Sequence, residues 1–491
     1  MSIKSLWKLV HNRIIPPFKS SIQPHHDPRL QPFWNFAQLG LLLFPSIPIL
    51  GAVGLLVAVV GTWKQKVRQI IRRPVNRGLA ILSLCLVITT IFAREPLEAL
   101  LGLGNLLPDF LVFAGLSALI QTPKQLRQLS WSIVLASFPV IIFGLGQQFF
   151  GWTGPMLFYP ILGWVLEPNG NPPGRMASVF MYANILAAYL TIVLILGLGL
   201  WIEAWQRVKQ KGSLKTFLET VKNSHSSPFL LTNYQLPILT LAIIGNAICL
   251  IFTNSRNAWG LAMFASLAFA LYLGWRGLIA GVAAITGSIF WSAFGPEPVR
   301  GWLRRVIPYF IWGRITDQMY ANRPLETLRT TQWQFAWKMT QERPWTGWGL
   351  RNFTPLYEAQ MHIWLGHPHN LFLMLTAEIG IPATLFFCSL VGWILAQGIV
   401  LLITNSKTQN LVKKLESGSQ FPSSQSPKSA RDSLIFFSYL IAFIACILFN
   451  TVDVTLFDFR VNTLGWLLLA AIAGVVNSVA ANPKPFPTLD L

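Results

Sequence analysis

The sequence His367-Pro368-His369-Asn370 closes a polar stretch, 295–366, in a chain otherwise made mostly of apolar runs. Imidazole titrates near neutral pH and accepts a proton from a hydroxyl, so His369 is a candidate general base; the plainer alternative is a histidine that only hydrogen-bonds neighbouring backbone. A metal site built from His362, His367 and His369 fits less well, because Pro368 stiffens the spacing and only Glu358 is near as a hard ligand. The residues are therefore read without a metal. Arg256 lies in Thr253-Asn254-Ser255-Arg256-Asn257, a short polar turn between two apolar runs, where a pyrophosphate suits a guanidinium that binds phosphate oxygens in pairs. Arg175 and Arg329 are further candidates, although single arginines at a membrane boundary also snorkel to lipid phosphates. Asp453 and Asp458 are expected to pair with Arg460.

These residues need a frame, and composition defines it. Of 491 residues, 53% are apolar and 11% charged, and the mean hydropathy is +0.51. A soluble chain carries roughly twice that charge, so the expectation is a multi-pass membrane protein. The net charge of +20 comes without a nucleic-acid-binding module and is read as membrane topology, with no nucleic-acid partner. The four cysteines lie inside apolar runs and read as buried thiols. The basic, polar start of the chain is expected to stay on as a tail and not to be a cleavable signal peptide.

A crossing needs about 20 apolar residues. The runs are 36–63, 78–92, 99–120, 129–150, 179–202, 236–252, 259–273, 278–294, 381–403, 434–452 and 461–479. Pro45 and Pro48 divide the first into two short passes, which makes twelve in all. With the N-terminus inside, 25 Lys and Arg fall on cytoplasmic segments, while the short outer loops hold only Arg94, Arg175, Arg256 and Arg460. Both termini are thus expected in the cytoplasm.

The expected organisation is a cytoplasmic tail at 1–35, a bundle of nine helices over 36–294, and an extracytoplasmic loop at 295–368. Three more helices follow over 369–480, interrupted by a cytoplasmic loop at 404–432, and the chain ends in a tail at 481–491. The inner segments 203–234 and 404–432 read as solvated connectors. Within the large loop, 301–310 mixes Arg and aromatics as a headgroup-layer segment does. From Arg329, the spacing of Trp333, Ala336, Trp337 and Thr340 predicts a surface helix ended by Pro344, with those four inward and Gln334, Lys338 and Gln341 outward.

One family resemblance covers about residues 170–400. His369-Asn370, nine residues, then Gly380-Ile381-Pro382 resembles the His-Asn-x9-Gly-x-x-(Gly/Thr/Tyr) signature of the O-antigen ligase and polymerase superfamily, with Ala383 departing from the last position. Ser255-Arg256, Asn184 in its Tyr182-to-Leu190 stretch, and the run from Arg329 to Gly349 agree with it. The resemblance implies an all-α polytopic bundle of about 12 helices, GT-C-like, in the inner membrane. It implies a metal- and cofactor-independent transferase that moves a glycan from undecaprenyl pyrophosphate to a lipid or glycan acceptor hydroxyl, among membrane lipids, in surface polysaccharide biosynthesis such as that of lipopolysaccharide. Arg256 and Arg329, with Arg175, would hold the pyrophosphate, His369 would act as base, and Asn184, Asn370, Gly380 and Arg351 would support them. The alternatives are a glycan-repeat polymerase of the same superfamily and, from a branch bearing that label, an inorganic-carbon (bicarbonate) transporter.

Overall fold

The structure is a computed structural model that describes residues 25–210, 230–316, 318, 324–416 and 426–481. Among the described residues, regular structure is helical apart from two isolated β-bridges. Ten of these helices are long and apolar enough to cross a membrane, so the protein is a polytopic membrane protein.

Chain order explains how that number differs from the twelve expected. The run 36–63 does fold as two packed helices, α1 (Gln31–Leu43) and α2 (Pro48–Arg72), but α1 has 13 residues. At 1.5 Å per residue it reaches about 20 Å, short of the roughly 30 Å hydrocarbon layer. Helix α3 (Pro74–Ile91) follows, and the run 99–120 divides into α4 (Pro96–Leu103) and α5 (Leu107–Leu119), which together make one of the ten candidate crossings, Pro96–Leu119. A capping box between Thr122 and Gln125 starts α6 (Pro123–Phe150) before its apolar run begins. Then come α7 (Ala183–Gln210), α8 (Leu230–Phe252), α9 (Arg256–Leu273) and α10 (Arg276–Phe294). Helix α9 is the second of the expected crossings missing from the ten, since Arg256 and Asn257 occupy its first turn. The polar stretch holds α11 (Val299–Val306), α12 (Tyr309–Ile315), α13 (Arg329–Glu342) and α14 (Phe353–Met361), and the chain closes with α15 (Leu371–Glu416), α16 (Ser426–Phe449) and α17 (Phe459–Ala481).

Helix α7 is the central post, with 83% of its most apolar window buried, whereas 11% of that of α15 is buried. It packs against α6, α8, α9 and α16, so an outer ring forms around one apolar axis. Two expected connectors are partly helical: α7 runs on to Gln210, and α15 and α16 occupy most of 404–432. Lys, Gln, Glu and Leu in these stretches are good helix formers, and they carry the helices past the apolar run. Residues 211–229 and 417–425 of these connectors lie outside the described residues.

Helix α13 is also rotated from its predicted face. Ala336 and Thr340 are buried as expected, but Trp337 is 48% exposed and the buried set is Gln332, Phe335, Ala336, Met339 and Thr340. Phe335 packs edge-on against Phe353 and Tyr357 of α14, which turns the helix by about one residue position. The outward residues Gln334, Lys338 and Gln341 are exposed.

The break in α15 follows from Gly380-Ile381-Pro382. Pro382 has no N–H, so the Glu378 carbonyl lacks its helical partner, and Gly349 N–H takes that place at 2.8 Å. Ile381 N–H turns to the Pro344 carbonyl at 2.8 Å, and Trp348 N–H satisfies Ala377 at 2.9 Å. Gly380 has φ 79°, and a Cβ there would lie 2.4 Å from the Trp345 carbonyl oxygen. Gly380→Ala is therefore expected to cost about 1–3 kcal/mol and to lower the unfolding midpoint of detergent-purified protein; an unchanged midpoint contradicts this role for the break.

Candidate active site

Helix ends and the loops beside them converge at one end of the bundle around a chamber of about 570 Å³. Arg175 reaches it from the loop before α7, Arg256 from the first turn of α9, Arg329 from the first turn of α13, and His369 from the segment before α15. Asp453, between α16 and α17, completes the wall. The loop carrying Arg175 is pinned by Met176 N–H to the Phe252 carbonyl at 3.0 Å. It turns at Gly170, where φ is 77° and any Cβ would collide with the Arg175 carbonyl.

A continuous set of hydrogen bonds runs along the chamber floor. The Arg175 guanidinium donates from Nε to the Thr253 carbonyl at 2.8 Å and from Nη2 to Asn184 Oδ1. Asn184 Nδ2 donates to Asp453 Oδ2 at 2.7 Å. The other carboxylate oxygen accepts from Val454 N–H at 2.9 Å and faces His369 Nδ1 at 3.1 Å. With Asp453 ionised, the proton of a neutral His369 resides on Nδ1, which leaves the lone pair on Nε2 as the proton acceptor. His369 has φ 52°, a region that non-glycine residues occupy only when their surroundings hold them there.

Electrostatics keep this pair polarised. Burial alone would raise the Asp453 carboxyl, but the hydrogen bond from His369 holds it below the usual carboxylate range. His367 is the opposite case: burial, then the charge of His369, pulls its pKa down to about 4 against the smaller opposing pull of Asp453. Its Nδ1 accepts the His369 backbone N–H at 3.2 Å, which fits a neutral ring.

Several candidates lie elsewhere. Asn370 caps α15, its Oδ1 accepting Leu373 N–H at 3.0 Å, and Gly380 serves the α15 break. Arg351 is paired with Glu98 at 3.1 Å and does not line the chamber. The expected pairing of both aspartates with Arg460 is corrected: Asp458 pairs with it at 3.0 Å, while Asp453 turns to His369. Arg460 is committed to the Val179 carbonyl and the Phe180 ring as well, so it is a buried strut. Asp453 is thus the residue that sequence reasoning missed, its signal being a lone carboxylate just beyond an apolar run.

His362 takes no part in a metal-like cluster, but His367, His369 and Asp453 each place one ligand atom within 4.8 Å of the others. Two imidazoles and a carboxylate at that spacing suit a divalent transition metal. Two of these three residues, His369 and Asp453, are also joined by the Nδ1 to Oδ1 hydrogen bond.

Residues 240–388 match the family model described as O-Antigen ligase. No curated protein matches the chain. The matched segment includes Arg256, Arg329 and His369, whereas Arg175, Asn184 and Asp453 are brought to the chamber from outside it.

Acid stability tests the His367 environment. Unfolded histidine protonates below about pH 6.5, and folded His367 only below about 4. Between those values the unfolded chain binds more protons, so stability falls as pH drops through that window, by on the order of 3 kcal/mol at most. Thermal melts at pH 7 and pH 4.5 are expected to show a smaller acid-induced loss for His367→Gln than for wild type; equal losses contradict a histidine held neutral.

Proposed function

From the premise that the segment 240–388 belongs to the O-antigen ligase family, we propose that the protein is a glycosyltransferase that moves a glycan from undecaprenyl pyrophosphate to an acceptor hydroxyl. The observation that carries the reading is the co-location of three guanidinium groups with the His369–Asp453 pair in a single chamber. Its volume of about 570 Å³ lies in the range of small-molecule sites.

In this reading, His369 Nε2 removes the acceptor proton as the acceptor oxygen bonds to the anomeric carbon. The bond from that carbon to the pyrophosphate oxygen breaks, and the lipid pyrophosphate departs with the electron pair. Arg175, Arg256 and Arg329 stabilise the negative charge that grows on the departing oxygens, an effect strongest at a low-dielectric boundary. Asp453 is a positioning residue that holds the His369 tautomer and steadies the imidazolium once the proton arrives.

An apolar cavity of about 250 Å³ begins where Leu371 and Asn450 meet beside His369 and runs between α15, α16 and α17. It supports a route for a lipid chain from the bilayer to the chamber. In this reading the chamber faces outward from the inner membrane with both termini inside, which the charge asymmetry of the loops supports, and the GT-C-like bundle around it is what the family resemblance implies.

His369→Ala and Arg256→Ala are expected to lower transfer from lipid-linked glycan in liposomes by about 10²–10³-fold or more while the protein stays inserted and folded. Asp453→Asn is expected to reduce kcat with little change in the donor KM. Near-wild-type turnover by His369→Ala contradicts the mechanism. Chelator treatment is expected to leave turnover unchanged; a loss that zinc restores contradicts the metal-free reading and favours a metal on His367, His369 and Asp453.

A further inference from the structure

A second polar cavity, of about 230 Å³, lies at the opposite end of the bundle from His369 and is lined by Lys66, Gln69, Arg73, Gln121, Asn477 and Ser478, with Ala481 at its rim. Its position follows from helix direction. Helix α2 starts just after Pro45, whose carbonyl accepts from Arg460 at the chamber end, and its straight part runs about 27 Å to a kink at Lys66 before the helix ends at Arg72. Helix α17 starts beside that same Arg460 and ends beyond Asn477 and Ser478.

The cavity is built for an anion. Among the described residues no Asp or Glu lines it, and residues 64–77 carry six Lys and Arg and no acid. Lys66 is paired with Asp27 at 2.7 Å, which leaves Arg73 as the distinctive charge. Its Nη1 donates to Ser117 Oγ at 2.9 Å, and among the described residues no carboxylate lies within ion-pair distance of it. Burial pulls the guanidinium down to about 10, still charged at neutral pH. A partly buried cation facing only a hydroxyl is costly without a counter-ion, and amide and hydroxyl groups line the space beside it.

Lys66, Gln69 and Arg73 stand at i, i+3 and i+7 and face the cavity, while Val67 and Ile71, on the neighbouring face of α2, are 42% and 56% exposed. Cationic and apolar faces therefore adjoin at a membrane boundary, the arrangement that takes a phosphate group with acyl chains beside it. We infer that this cavity is a second ligand site, separate from the chamber, that binds a phosphate-bearing anion, the headgroup of an anionic phospholipid. The charge asymmetry puts it at the cytoplasmic surface, but the site stands on its own side chains and does not depend on the proposed transfer reaction.

The test is native mass spectrometry of the full chain in detergent with added phosphatidylglycerol or phosphatidylcholine. Wild type is expected to retain phosphatidylglycerol in preference to phosphatidylcholine. Arg73→Gln is expected to weaken that retention about tenfold, the worth of one charged hydrogen bond. Ser478→Phe, which fills the cavity and leaves the charges in place, is expected to weaken it similarly, so the proposal does not rest on one variant folding. Competition by millimolar inorganic phosphate supports the anion site and assigns it to free phosphate instead of lipid. Undiminished phosphatidylglycerol retention in both variants, with no effect of inorganic phosphate, overturns it.

Discussion

A carboxylate that is 2% exposed at the end of a membrane bundle stays charged only if donors replace the water it has lost. Asp453 finds them in Val454 N–H, Asn184 Nδ2 and, on its histidine side, His369 Nδ1. The last two partners lie 269 and 84 residues away in sequence. One buried charge therefore ties the start of α7, the entry to α15 and the loop between α16 and α17 into a single wall. Removing it would leave His369 without its orienting partner and Asn184 without the acceptor that fixes its amide. The network continues through Asn184 to Arg175, so the orientation of His369 and the placement of one arginine share a common anchor.

The rest of the fold serves that wall by keeping helix ends in register. The Gly380–Pro382 break lets α15 accept the 344–349 loop into hydrogen bonds that its own backbone cannot make, and this fixes the helix that follows His369. Arg460 does the same for α17, with its guanidinium spread over Asp458, the Val179 carbonyl and the Phe180 ring. At the other end, Arg127 bridges Glu203 of α7 and Asp432 of α16, both buried. Such buried pairs contribute little net stability, but breaking one leaves an uncompensated charge, so they favour one packing over its neighbours.

Much of this was legible in the sequence, and the parts that were not share a cause. Apolar runs marked the membrane helices because a crossing leaves a long, uniform signal, but the sequence reading starts this crossing at 381, whereas α15 begins at Leu371 and breaks at Gly380. Short-range reasoning failed where the partner was distant. Asp453 looked like a mate for Arg460, seven residues on, because the sequence does not show that Asp458 occupies that guanidinium first. The face of α13 was misjudged for the same reason, since Phe335 is drawn inward by Phe353 and Tyr357 of a helix that the periodicity of α13 does not mention. The division of 36–63 at Pro45 was legible, but the 13-residue length that leaves α1 out of the ten long helices was not.

The proposed transfer turns on one chamber that holds both His369 and the arginines. Its most direct test is an experimental structure of the protein bound to a lipid pyrophosphate carrying a sugar. The account predicts phosphate oxygens within hydrogen-bond reach of Arg256 and Arg329, and the anomeric carbon on the side of the chamber that His369 Nε2 faces. Pyrophosphate bound outside the chamber, or a sugar turned away from His369, contradicts it.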